Sequence, residues 1–195
     1  ISLPPLREQR RIVTKLEGLS ARTSRARIEL DRIPPLIGRY KQRLLALAFS
    51  GELTAAWRAD HGYMEPLPKT IDELSEGLRY GTAQKSYAEA NGVAVLRIPN
   101  VVSGRISLED LKYSELEPKE FSKLRLNEGD ILVVRSNGSV DLVGRPALVT
   151  GEAVGLAYAG YLIRIRPKRE VVVPKFLALM LEAPKIRGII ESGAR

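Results

Sequence analysis

From Ile12 to Leu47 the apolar positions advance in steps of four and three that never slip: Ile12, Leu16, Leu19, Thr23, Ala26, Leu30, Ile33, Ile37, Tyr40, Leu44, Leu47, with only Thr23 polar. A 3.5-residue spacing sustained over successive heptads is the signature of a coiled-coil seam. At 1.5 Å per residue it runs for roughly 50 Å. Pro34-Pro35 interrupts it. A proline inside a helix costs about 3 kcal/mol and kinks or breaks it. The phase nevertheless survives the pair, which predicts two helices, about 7–32 and 35–49, sharing one stripe. Gly51 suits a second break, with Glu52 to Arg58 forming one more turn. Such a stripe cannot bury itself, and the nearest helical candidate in the chain, 174–191, is shorter and punctuated by Pro174 and Pro184. The arm is therefore expected to dock on another chain or on another part of a larger protein.

Charge follows the same division. Residues 1–70 hold 13 Lys+Arg against 7 Asp+Glu, so most of the net +8 of this 195-residue chain lies in and beside the arm. The arm's cations are spread along it, as on a solvated helix face. The stretch from Ile106 to Asp130 is acidic instead, with seven acids against four bases, and is expected to face away from a polyanion. Cysteine is absent and His61 is the only histidine, which removes disulfides, thiolate metal sites and cysteine nucleophiles. His61 reads as a solvated turn residue. No phosphate-binding G-x-x-x-x-G-K or dinucleotide G-x-G-x-x-G pattern occurs. No apolar run approaches the ~18 residues of a membrane span. The chain opens on Ile1 rather than Met, which reads as a fragment or a processed form.

After a connector at 61–70, Thr70 with Glu73 forms a capping-box pattern, and the helix it opens is expected to end near Gly77 to Gly81. From Val93 the period becomes that of strands: 93–98, 131–135, 144–150 and one or two more within 154–166. Pro146 implies an edge or a bulge. Helices are expected at 175–181 and 185–191. The fold class is α+β, with a long kinked coiled-coil-like arm (1–60) and then a mixed α/β domain (71–195) with a curved sheet and helices at its margin.

In this order the segments match a known pattern. Pro4-Pro5-Leu6-Arg7-Glu8-Gln9-Arg10-Arg11-Ile12 resembles the PLPPLxEQxxI opening of the conserved helix in specificity (S) subunits of type I restriction-modification enzymes. Leu44-Leu45-Ala46-Leu47-Ala48-Phe49-Ser50-Gly51-Glu52-Leu53-Thr54 resembles its end. Tyr80-Gly81-Thr82, Leu96-Arg97-Ile98-Pro99-Asn100-Val101, Gly104-Arg105-Ile106, Gly129-Asp130-Ile131-Leu132 and Leu142-Val143-Gly144-Arg145 resemble landmarks of the family's target recognition domains. The resemblance implies a non-catalytic DNA-recognition subunit that reads half of a bipartite double-stranded site. The chain would hold the central helix and most of the second recognition domain, without the family's first domain or its second conserved helix. Methylase (M) subunits would dock on the helices and restriction (R) subunits would join indirectly. S-adenosylmethionine, ATP and Mg would belong to those partners, and no cofactor to this chain. It also implies a cytoplasmic protein of a bacterium or archaeon. The amino-methyltransferase Asn/Asp-Pro-Pro-Tyr/Phe motif and a Pro-Asp…(Asp/Glu)-x-Lys nuclease pattern are absent. A scaffold module whose arm binds a protein, without sequence-specific DNA binding, is the alternative.

A DNA reader needs hydrogen-bonding groups at base edges and cations at phosphates. Gly81, Thr82, Gln84 and Lys85 offer small residues for close backbone approach, an amide suited to adenine and a phosphate-binding cation. Arg135, Ser136, Asn137 and Ser139 offer an arginine suited to guanine and an asparagine suited to adenine. Arg97 and Asn100 end a strand together, Arg145 lies in a segment poor in acids, and Tyr158 and Tyr161 can stack or bond a phosphate. Arg164, Arg166, Lys168 and Arg169 read as a solvated strand end. The seam positions Ile12, Leu16, Leu19, Leu30, Ile33, Ile37, Leu44 and Leu47 form the partner interface, through which the chain by itself is expected to self-associate.

Overall fold

The computed structural model describes residues 3–63, 67–102, 104–135 and 142–193. They form two compact units, Ile1–Leu44 and Leu45–Arg195.

The first unit is helical. α1 (Leu6–Asp31) follows Pro4-Pro5 and places Glu8 in its first turn, against the positive end of the helix dipole. It buries none of its residues. Helix α2 (Ile33–Phe49) begins after Arg32. The break falls at Arg32, two residues before the first proline, and the reason is steric. The rings of Pro34 and Pro35 exclude the carbonyls four residues back, so the ladder of α1 cannot continue past Asp31. Both prolines then occupy the first turn of α2, where their missing N–H groups have no intrahelical partner to lose. Arg32 closes α1 with its N–H on Glu29 O (3.2 Å) and its guanidinium on the Glu29 carboxylate (2.9 Å). The interruption therefore costs little, and exposed seam residues stand on both sides of it, Leu30 before and Ile33 after.

The second unit starts with the end of α2, where Leu45 is buried and Phe49 meets Phe176 edge to face at 5.2 Å. Helix α3 (Ala55–Asp60) carries Trp57, which stacks on His61 (4.7 Å) and Tyr63 (5.0 Å) at the surface. His61 is exposed, with Nδ1 2.8 Å from Trp57 O.

The capping box forms as expected: Thr70 Oγ1 accepts from Glu73 N, and Glu73 Oε2 accepts from Thr70 N (2.7 Å). The helix it opens, α4 (Ile71–Leu74), is a single turn that does not reach Gly77. Residues Ser75–Tyr80 form strand β1 instead, because they find a partner strand some ninety residues away. Gly77, at φ 125°, absorbs the register shift between Ser75 and Leu78.

Eight more strands follow among the described residues: β2 (Val93–Leu96), β3 (Val101–Val102), β4 (Gly104–Ile106), β5 (Lys112–Ser114), β6 (Ile131–Val134), β7 (Pro146–Leu148), β8 (Ala157–Tyr158) and β9 (Leu162–Pro167). They make a six-stranded sheet ordered β1-β9-β6-β7-β4-β3 and a three-stranded sheet ordered β5-β2-β8. Both are mixed, with β4–β7 and β2–β8 parallel and the remaining pairs antiparallel. Pro146 is neither on an edge strand nor at a bulge. It opens the interior strand β7, a position where a missing N–H is tolerated.

Strand alternation divides the core. Leu132, Val134 and Leu162 face Val95, Leu96 and Tyr158, sealed by Leu124 of α5 (Pro118–Leu124). Ile131 and Ile165 face the other way, against Leu177, Ala178 and Leu181 of α6 (Pro174–Glu182), which α7 (Pro184–Gly193) follows. Arg164 departs from the solvated strand end expected of it. It is only 7% exposed, because the sheet places it on the same face as Leu162. Arg166 also turns inward and clasps the buried Asp130 with two bonds, at 2.7 and 2.8 Å. Among the described residues no helix is long and apolar enough to cross a membrane, and no group of three acids or histidines is placed to hold a metal ion.

Candidate nucleic-acid interface

The residues marked out by sequence separate into internal braces and an exposed group. Thr82 is buried: its hydroxyl donates to Glu120 Oε1 (2.7 Å) and accepts from Gln84 N (3.1 Å). Gly81 permits a close approach, but to protein. A Cβ there would lie 2.2 Å from Tyr158 O and 2.3 Å from Ala159 O. Asn100 is 1% exposed; its Oδ1 accepts from Arg97 N, and its Nδ2 donates to the carbonyls of Ser107 and Glu109. Arg97 holds Asp110 through both the carboxylate (2.8 Å) and the carbonyl (2.9 Å).

Tyr158 is fully buried and donates to Arg79 O (3.2 Å). Burial pushes its hydroxyl up from the ordinary 10 to about 12. The folded state therefore favours the protonated phenol. That contribution is complete below pH 10 and is lost as pH rises through about 12. This difference between folded and unfolded chain is worth roughly 2–3 kcal/mol. Between pH 9 and 12 the wild-type urea midpoint should fall more steeply than that of Tyr158→Phe. Parallel declines would show that this phenol does not govern alkaline stability.

The exposed group collects at one end of β1, β9 and β6. Strand register sets Tyr80 opposite Ile163 and Val133 opposite Ile163, and Arg135 N bonds Tyr161 O at 2.8 Å. With side chains alternating along strands, Tyr80, Arg135 and Tyr161 share one face. The Arg135 guanidinium carbon lies 4.6 Å from the centre of the Tyr80 ring. Tyr80 and Tyr161 are 59% and 62% exposed, and Arg135 is exposed. A cation–π contact of this kind steadies the guanidinium over the ring, and an exposed arginine keeps the paired N–H donors that suit a guanine edge. By sequence Tyr80 stands out only as a landmark of the family resemblance. Its place at the end of strand β1 gave no signal in sequence, because the capping box at Thr70 points to a helix over this stretch.

Two neighbouring segments extend this end of the sheet. Residues 81–85 run beside the β8–β9 turn, with Thr82 N on Tyr158 O (2.9 Å) and Gly160 N on Thr82 O (2.7 Å). Beyond Thr82, Gln84 and Lys85 are exposed. Ser114 Oγ donates to the Lys85 carbonyl at 3.0 Å, which fixes the backbone beneath this exposed side chain. Gln84 and Lys85 border an open groove of about 670 Å³ whose wall includes Tyr87, Asn91 and Tyr113. Arg145 is exposed, and its carbonyl accepts from Val134 N at 3.0 Å. Ser136, Asn137 and Ser139 lie outside the described residues.

The seam positions belong to the arm. Ile12, Leu16, Leu19, Leu30, Ile33, Ile37 and Leu44 are 40–62% exposed, and Leu47 is half-buried.

No family model matches the chain. It is 30% identical over 192 residues to the EcoKI type I restriction enzyme specificity subunit of Escherichia coli K12, covering 96% of this chain and 41% of that one. The chain spans about two-fifths of the length of the curated relatives it matches over most of its own length. A chain solved for the complex assembly and conformational transition of the type I R-M system superposes with a TM-score of 0.55 at 18% identity, covering 95% of this chain and 43% of that one. The HsdS subunit from Thermoanaerobacter tengcongensis superposes with a TM-score of 0.51 at 18% identity, covering 97% of this chain and 44% of that one.

Proposed function

The chain is HsdS-like, a relative of the specificity subunits of type I restriction enzymes, and from that premise we propose that it reads one half of a bipartite double-stranded DNA site. In this reading residues 71–195 are the target recognition domain and 61–70 the connector. Residues 1–60 are the helical spacer that docks methylase subunits and, through them, restriction subunits. The chain itself is non-catalytic; methylation and cleavage fall to those partners, with their S-adenosylmethionine, ATP and Mg.

One observation carries the assignment of the reading surface: Arg135 stacked on Tyr80, on the face that it shares with Tyr161. An arginine ordered in this way is suited to discriminate a base pair, whereas Lys85, a point charge on a flexible stem, is suited to a phosphate. The acidic stretch from Ile106 to Asp130 supplies internal partners of this domain, among them Asp110 and Glu120, and is net negative.

The test begins by selecting a preferred duplex from a random library with the full chain. Lys85→Ala should then weaken binding to all duplexes alike and reduce the salt slope by about one unit. Arg135→Ala should cost about 1–3 kcal/mol at a particular base pair. Equal losses on selected and random DNA for both variants would remove the reading surface. The absence of any preferred duplex would favour a scaffold.

A further inference from the structure

We propose that a cavity at the β1 edge of the six-stranded sheet binds a phosphate group. The cavity, of about 260 Å³, is lined by Glu76, Gly77, Leu78, Arg79, Arg164 and Arg166. It is separate from the Tyr80–Arg135 patch. Arg79 pairs in register with Arg164, and Tyr80 with Ile163, so the two groups occupy opposite faces of β1.

Arg164 is the central observation. A guanidinium that is 7% exposed is expected to have a carboxylate partner. Arg164 has none among the described residues. Its Nη1 donates only to the carbonyls of Lys123 (3.1 Å) and Arg125 (3.4 Å), and its Nε has no hydrogen-bond partner. The nearby carboxylate, Asp130, is committed to Arg166 and to Asn127 N. Burial, the largest influence, lowers the Arg164 pKa from its ordinary value, and the charges of Arg166 and Arg79 act in the same direction. Arg79 is exposed at the cavity and makes no side-chain hydrogen bond or ion pair among the described residues. Three guanidinium groups therefore line one small cavity, with Glu76 the only carboxylate on its wall among the described residues.

A tetrahedral oxyanion suits this arrangement. It brings the negative charge that Arg164 lacks, and several acceptor oxygens to share between planar guanidinium donors. Glu76 works against it and tunes the affinity downward. The binding of phosphate does not depend on the DNA reading; only one of its two sources, a DNA backbone phosphate or free phosphate, rests on that reading.

The experiment uses the full chain. Inorganic phosphate should raise its melting temperature saturably, above sodium chloride at matched ionic strength. Arg79→Gln, which removes no internal contact, should weaken this about tenfold, and Glu76→Gln should strengthen it. Salt titration on duplex DNA then identifies the source. A slope reduced by about one unit in Arg79→Gln assigns the cavity to a backbone phosphate. An unchanged slope assigns it to free phosphate. A chain stabilised by phosphate that binds no DNA keeps this site and loses the DNA reading. No phosphate-specific stabilisation, or equal stabilisation of wild type and Arg79→Gln, overturns the proposal.

Discussion

Asp130→Ala should destabilise the Leu45–Arg195 unit by about 2–4 kcal/mol, read from urea unfolding near neutral pH. Asp130 is 1% exposed and stands at the end of the turn that launches β6. Its Oδ1 accepts from Arg166 Nε (2.8 Å), and its Oδ2 accepts from Arg166 Nη2 (2.7 Å) and Asn127 N (2.8 Å). Alanine would leave an orphaned backbone N–H and a sheltered guanidinium next to Arg164. Breaking a fully buried pair by removing one partner costs about 3–5 kcal/mol. Arg166 is 24% exposed, so part of its charge reaches water and the expected cost is lower. The hydrogen bond to Asp130, before any other influence, holds the Arg166 guanidinium above its ordinary value. Removing both partners in Asp130→Ala/Arg166→Met should recover part of the loss, since no unpaired cation then remains. A single-variant cost below about 1 kcal/mol would show that the clasp is not a structural keystone.

The same turn shows which features are legible in the residues alone. Asn127-Glu128-Gly129-Asp130 is legible because its chemistry is local: glycine takes φ 84° and aspartate bonds the backbone three residues back. The arm is legible for the same reason, since its period repeats along one helix. Strand β1 is not. The capping box at Thr70 announces a helix, but the conformation beyond Leu74 is decided by β9, far along the chain. Strand β5 and helix α5 escape detection because a three-residue strand and a seven-residue helix, both in an acidic stretch, carry too little period. At the candidate site, residue type is ambiguous. The donors and acceptors of Thr82 and Asn100 suit a base edge, and the fold commits them to Glu120, Ser107 and Glu109. The burial of Arg164 is illegible for a related reason: in an alternating strand its charge argues for solvent, and only the register of β9 against β1 and β6 places it inside.

Leu16→Asp and Leu44→Asp should each convert a self-associating chain into a monomer at micromolar concentration, and the helix content of the arm should fall with the loss of its partner. The two side chains are 59% and 40% exposed, and nothing in α1 is buried. Isolated helices gain little from propensity alone and are held mainly by an apolar face packed on a partner. Burying one leucine or isoleucine contributes about 1.5–3 kcal/mol relative to exposure. The seam offers eight such positions, from Ile12 to Leu47. Even halved for residues already partly covered, their sum competes with the 4–15 kcal/mol that association costs. An aspartate on the seam removes one contribution and adds a charge that pairing would have to bury, so its effect exceeds that of alanine. The flanking cations, Arg7, Arg10 and Arg11 at one end and Arg39, Lys41 and Arg43 at the other, repel across any self-pairing. Added salt should therefore tighten association of the arm, while it weakens DNA binding. Two copies of the chain pairing through this stripe would bury it on both. Light scattering with circular dichroism decides. A monomeric wild-type chain with its arm still helical would remove the seam as an interface, and an aspartate variant that associates as before would move the interface elsewhere.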